Sequence, residues 1–175
     1  MSAAVLLKEV LKFKVMVDIS HEYSEIRKSL IVEPMSEDDI EVVAAIEGSS
    51  FSDPWPIESF RTELIYNQLA YYYVGRYNKD IIAYIGAWII LDEVHITTLA
   101  VEKKYRRQGI ASLLLETLFS RVQKLGARCL TLEVRPSNKA ARRFYEKYGF
   151  KIYGRRKQYY VDEDALIMTK NGLDC

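Results

Sequence analysis

Little in this chain could hold a metal ion or a disulfide framework. Its only histidines are His21 and His95, and its only cysteines are Cys129 and Cys175; neither pair has ligand spacing. Cys129 lies in the apolar run Cys-Leu-Thr-Leu and reads as a small core residue. An excess of one charge is also missing. Twenty-five basic against 24 acidic residues leave a formal charge of +1, which gives no general attraction to nucleic acid or to a membrane surface, so any anion site must be local. No apolar run reaches the roughly 20 residues of a membrane span. Lys8, Glu9, Lys12 and Lys14 interrupt the apolar residues near the start, which excludes the core of a signal peptide. The expectation is a cytoplasmic protein with no metal, no membrane and no direct nucleic-acid function.

What remains suits a single domain: 175 residues with 49% hydrophobic side chains are enough for one substantial core and short for two. Residues 1–30 read as an N-terminal extension of unknown role, with Met16 a possible alternative start. Residues 31–170 carry the regular rhythm, and 171–175 form a tail. "LIVEP" is a short strand. "SEDDIEVVAAIEGS" is a helix capped by Ser36, with Ile40, Val43, Ala44 and Ile46 on its apolar face. The prolines of "FSDPWP" exclude regular structure there, and "IESFRTELIYN" is a second helix. "AYYYVGRY" and "NKDIIAYIGAWIIL" form a hairpin turning at Asn78, Lys79 and Asp80, followed by the strand "DEVHITTLAVE". "RQGIASLLLETLFSRVQKLG" is the strongest helix and stops at Gly126. "ARCLTLEVR" is a strand, and Ser137 or Asn138 opens the helix "NKAARRFYEKYG". "FKIYGRRKQYY" and "DALIMTK" close as strands. The order βααβββαβαββ defines an α/β chain with a mixed sheet.

The stretch "AVEKKYRRQGIASLLLE" passes from strand through a glycine turn into a helix. The first N–H groups of such a helix lack partners, and its dipole adds positive potential. Gly109 admits an anion to the backbone, and Arg106 and Arg107 can add charge-assisted bonds. A phosphate or pyrophosphate is the natural guest; the alternative is an ordinary turn with solvated arginines. Neither GxGxxG nor GxxxxGK[ST] is present. Thirteen tyrosines, several clustered, suggest a surface that grips something.

"RRQGIA" fits the [RQ]-x-x-G-x-[GA] signature of the GNAT N-acetyltransferase superfamily. With "LEVRPSNKAARRFYEKYGF" and "GRRKQYYVDEDALIM", the chain over residues 31–170 resembles the RimI-like branch. That branch holds ribosomal-protein alanine acetyltransferases and the catalytic subunits of N-terminal acetyltransferases. The resemblance implies a twisted, mostly antiparallel mixed sheet with helices on both faces, in which the fourth and fifth strands splay apart. It implies acetyl-CoA as cosubstrate, lying in the gap and pairing with Leu99, Ala100 and Val101. Arg106, Arg107, Gln108, Gly109, Ile110, Ala111 and Ser112 would cradle the pyrophosphate, a backbone N–H near Val101 would face the oxyanion, and Asn138 would reach the cofactor.

For catalysis the resemblance implies Glu133 as general base, with His95 as a second base and Tyr145 as the acid for the thiolate. Each has a plainer reading: an ion pair of Glu133 with Arg135, a strand-edge histidine, and aromatic packing of Tyr145 with Phe144, Tyr148 and Phe150. Asp53 and Trp55 fall in the loop that lines the family's acceptor cleft, and Tyr159 and Tyr160 in the hairpin that holds the substrate backbone. The implied reaction is acetylation of protein N-terminal α-amines, with a ribosome or an auxiliary subunit as the macromolecular partners to consider. Its rivals are a lysine or small-amine acetyltransferase and a non-catalytic acetyl-CoA-binding subunit.

Overall fold

A computed structural model describes residues 25–171. His21, Cys175, the alternative start at Met16 and the charged N-terminal segment lie outside the described residues. Seven strands form one sheet: β1 Ile31–Pro34, β2 Ala70–Tyr77, β3 Asp80–Ile90, β4 Glu93–Val101, β5 Cys129–Val134, β6 Lys151–Arg156 and β7 Ala165–Asn171. Among the described residues five α-helices accompany it: α1 Glu25–Ser29, α2 Ile40–Ser50, α3 Ile57–Tyr66, α4 Ile110–Lys124 and α5 Lys139–Lys147. The spatial order is β1-β2-β3-β4-β5-β7-β6, with every neighbouring pair antiparallel except β4 and β5.

The core divides across the sheet. On one side Leu114, Leu115, Leu118 and Val122 of α4 pack with Ile82, Ile85, Leu130, Leu132 and Phe150. On the other, Ile40, Val43 and Ile46 of α2 and Phe60 of α3 pack with Tyr72, Val74 and Tyr84. The helical period foreseen for α2 is therefore the period of its buried face. Ser36 opens a 3-10 turn, Glu37–Asp39, ahead of α2, because Asp39 accepts from both the Ser36 N–H (2.8 Å) and its hydroxyl (3.0 Å).

Two features differ from the expected elements. A helix, α1, precedes the boundary drawn at Ile31, and its Ile26 already packs against the core that Leu30 joins. The strand foreseen over "FKIYGRRKQYY" stops at Arg156. Gln158 takes a left-handed conformation (φ 50), and its N–H bonds to Asp164 Oδ1 at 3.0 Å, which turns the chain before Tyr159 and Tyr160.

One irregularity shapes the site. Gly86 opposes Thr98 but Ala87 opposes Ile96, so Thr97 is an extra residue in β4. Such a bulge bends its strand. The parallel pairing of β4 with β5 covers Glu93–Ile96 and Cys129–Leu132 and ends where the bulge begins, so the two strands part beyond Ile96 and Leu132. Tyr72 supports the bulge, its hydroxyl 3.3 Å from Thr97 Oγ1, and its ring lies over Gly86, where a Cβ would come within 2.3 Å of the ring. Gly86→Ala is expected to cost about 1–3 kcal/mol through overpacking. Urea unfolding measures this, and an unchanged midpoint would mean that the Tyr72 ring yields freely.

Candidate active site

A cleft of about 1000 Å³ opens where β4 and β5 separate. One wall is the end of β4, with Leu99, Ala100 and Val101; the floor is the start of α4, with Arg106, Arg107, Gln108, Gly109, Ile110, Ala111 and Ser112. The far wall is α5, with Asn138 and Tyr145. Every residue read from the sequence as cofactor-binding borders this one cleft.

The turn into α4 has two left-handed residues, Arg107 (φ 64) and Gly109 (φ 77), the latter at the N-cap of α4. Left-handed residues alternating with ordinary ones turn successive N–H groups inward as an anion nest. The two arginines differ in use. Arg106 turns back, donating from Nε to the Val101 carbonyl at 2.8 Å and from Nη2 to Ser50 Oγ at 3.0 Å; it pins the turn to β4 and α2. Arg107, exposed at the border of the same cleft, makes no hydrogen bond or ion pair among the described residues. Asn138 is partly spent as well, since its Oδ1 accepts the Ala141 N–H at 3.0 Å and caps α5.

Tyr145 is 7% exposed, and its ring packs against Phe144 and Phe150. Its hydroxyl, at the cleft, has no hydrogen-bond partner among the described residues. Burial pushes its pKa up, and the neighbouring Tyr160 adds to this. Packing and access to the cleft thus coexist in one side chain.

Beyond the cleft, around the exit of β5, lies a second group. Glu133 Oε2 is 2.8 Å from His95 Nε2, and Glu133 Oε1 is 3.5 Å from Arg156. The expected alternative, an ion pair of Glu133 with Arg135, does not form: the hairpin between β6 and β7 offers Arg135 two other acids, Asp162 at 2.5 Å and Glu163 at 3.2 Å. Burial pushes the Glu133 carboxyl up, but His95 and Arg156 together hold it below the usual carboxylate range. His95 Nδ1 lies 3.0 Å from Thr131 Oγ1. An ionised carboxylate only accepts, so in the neutral imidazole Nε2 carries the proton and Nδ1 accepts from the Thr131 hydroxyl.

The hairpin between β6 and β7 is fastened over this pair. Arg135 stacks 3.9 Å from the Tyr160 ring centroid, Arg156 lies 4.8 Å from that of Tyr159, and the two tyrosine rings meet edge to face at 4.9 Å. Burial raises the Tyr160 pKa to about 12. Trp55 packs on Phe60 with ring centroids 5.8 Å apart and so anchors its loop, while Asp53 is exposed; neither borders the cleft.

Sequence reasoning missed the support beneath that loop. Glu47 is 3% exposed and accepts from the Tyr84 hydroxyl, from the Trp55 N–H at 3.1 Å and from Thr98 at 3.4 Å. The available signal was a carboxylate next to Ile46 on an apolar helix face. Burial raises its pKa more than the three donors lower it. The native state then binds more protons than the unfolded chain, so stability is lost as pH rises through the folded pKa. Glu47→Gln keeps an acceptor for the Trp55 N–H and cannot ionise. It is expected to flatten this loss, measured as unfolding free energy at about pH 5 and about pH 8. A decline as steep as in the unaltered chain would refute it.

A sheet parted between two parallel strands, with an amide nest at the foot of the gap, is the arrangement that the resemblance to acetyl-CoA-dependent acyltransferases implies. The comparisons with known proteins agree. The family model described as "Acetyltransferase (GNAT) family" matches residues 40–150, and the chain belongs to that family. It is 33% identical over 135 residues to the [ribosomal protein bS18]-alanine N-acetyltransferase of Escherichia coli, covering 75% of this chain and 90% of that protein. A Bacillus subtilis protein provisionally given the same name is 41% identical over 139 residues, covering 78% and 92%. Among solved structures, the Escherichia coli ribosomal-protein-S18-alanine N-acetyltransferase superposes with a TM-score of 0.75 at 31% identity, over 81% of this chain and 93% of that one. Ard1 from Thermoplasma volcanium gives 0.76 at 26%, over 82% and 97%. Acetyl-CoA is the cosubstrate. Among the described residues no cluster of three or more metal-ligating side chains occurs, and no helix is long and apolar enough to cross a membrane.

Proposed function

We propose that the protein acetylates the α-amino group of protein N-termini by direct attack on the acetyl-CoA thioester. The observation that carries this reading is the tyrosine-tipped hairpin held by Arg135 and Arg156 beside the Glu133–His95 pair. Rigid aromatic area with a hydroxyl suits the grip of a peptide backbone. A free small amine would have no use for it.

In this reading the β4 edge freed by the bulge pairs with the pantetheine arm as an added strand would. The nest at Arg107–Ser112 takes the diphosphate, and Asn138 borders the same arm. A backbone N–H near Val101 faces the developing oxyanion. Glu133, with His95, collects the proton released by the attacking amine, and Tyr145 donates to the departing sulfur. Tyr159 and Tyr160 hold the acceptor backbone. Asp53 and Trp55 shape the acceptor loop from further out, Trp55 by anchoring it.

Relatives bearing the alanine N-acetyltransferase name make the N-terminus of ribosomal protein bS18 the first substrate to try, with a ribosomal particle or auxiliary subunit as its presenting partner. The deciding experiment compares that peptide with a free N-terminus against an N-terminally blocked peptide carrying a lysine. Acetylation of the free terminus alone is expected. Equal modification of the blocked lysine peptide would move the protein to the lysine acetyltransferases. Tight acetyl-CoA binding without turnover on any amine would make it a binding subunit.

A further inference from the structure

The nest at α4 is held from behind by a residue outside the matched family region. Arg27, on α1, donates from Nε to the Gly109 carbonyl at 3.1 Å and from Nη2 to Glu116 Oε2 at 2.8 Å. The other Glu116 oxygen accepts from the Tyr148 hydroxyl at 2.9 Å. Helix α1 is itself fixed, because Ile26 packs on the main core and Leu30 is buried in it.

A peptide unit is planar, so its carbonyl and the following N–H point in opposite directions. The Gly109 carbonyl accepts from both Leu113 N (3.1 Å) and Arg27 Nε. Fixing it also fixes the direction of the Ile110 N–H, among the first donors of α4 without a helical acceptor. Gly109 is the residue least able to hold such an orientation by itself, since it lacks a side chain and sits at positive φ. Glu116, two turns along the same face, holds the guanidinium in place.

We propose that Arg27 is a positioning residue for the diphosphate of acetyl-CoA: through Gly109 it orients the nest, and it couples the segment ahead of the catalytic domain to cofactor affinity. This rests on the cofactor placement given above. A preorganised nest binds its anion without first ordering itself, so the loss falls on binding and not on the chemical step.

The test uses the full 175-residue chain and two acetyl donors, acetyl-CoA and S-acetylpantetheine, which has the thioester arm but no diphosphate. Arg27→Ala is expected to raise KM for acetyl-CoA about tenfold with kcat within about twofold, and to leave KM for S-acetylpantetheine unchanged. Arg27→Lys keeps a charge for Glu116 but cannot place two separate nitrogens on Gly109 and Glu116, so a rise of about threefold with the same split is expected. The lysine variant carries the comparison alone if the alanine variant does not fold. A general structural role would weaken both donors alike, and that outcome, or no change with either, overturns the proposal. If the unaltered protein fails to prefer acetyl-CoA over S-acetylpantetheine, the cofactor placement falls and this inference with it. A clear preference that Arg27→Ala leaves intact removes only the inference.

Discussion

Glu133→Gln is expected to lower kcat about a hundredfold, with KM for acetyl-CoA unchanged, in a peptide acetylation assay. The split follows from the geometry, because Glu133 stands beyond the donor cleft and does not line it. A carboxylate held below its usual range is a weak base toward a free ammonium group of pKa about 7.7–8.0. It need not deprotonate that group in advance. Once the neutral amine has attacked the thioester, its nitrogen carries a positive charge and becomes strongly acidic, and a carboxylate that remains ionised across the working range is then an adequate acceptor. The amine's own ionisation sets the pH dependence, so kcat/KM rises with pH up to about 8 in the unaltered enzyme and in the variant alike. His95, donating from Nε2 to the carboxylate, forms one unit with it. Adding a second substitution at His95 is therefore expected to cost less than that substitution costs alone. Unchanged kcat in Glu133→Gln would remove the base from this position.

The order of strands and helices from Ile31 onward was legible because local rules set it. Prolines at 54 and 56 exclude regular structure, Asn78 and Lys79 accept the positive φ of a tight turn, and Ile40, Val43 and Ile46 mark a helix by their period. The nest was legible for the same reason, since Gly109 at a strand-to-helix turn is a local signal. Positions set by contacts distant in sequence were not. No local pattern tells that Thr97 bulges, because the extra residue is defined only against Gly86 and Ala87 on the neighbouring strand. Arg27 could not be assigned because its partners lie 82 and 89 residues away. Arg135 looked like a partner for Glu133 by proximity in the chain, but the fold brings it two stronger claims from Asp162 and Glu163. Arg106 and Arg107 looked alike in sequence, and the fold separates them by bringing the Val101 carbonyl and Ser50 to Arg106 while Arg107 has no partner among the described residues.

Tyr145→Phe is expected to reduce kcat about 10- to 100-fold, through the loss of a hydrogen bond to the departing sulfur. Burial raises the Tyr145 pKa above the ordinary tyrosine value, whereas a thiol sits near about 8.5. Full proton transfer from tyrosine to the departing thiolate would therefore run uphill. A hydrogen bond would not, because its strength grows as negative charge collects on sulfur, and the O–H is held in the cleft by Phe144 and Phe150 without a competing acceptor among the described residues. Donation without transfer predicts a loss by the same factor from about pH 6 to about pH 9, since the raised pKa keeps the hydroxyl protonated throughout. The substitution removes one oxygen and leaves the ring in its aromatic cluster, so thermal stability is expected to hold. A fall in kcat accompanied by a large drop in Tm would point to packing as the role of Tyr145, and kcat unchanged within about twofold would exclude the hydroxyl from the chemistry altogether.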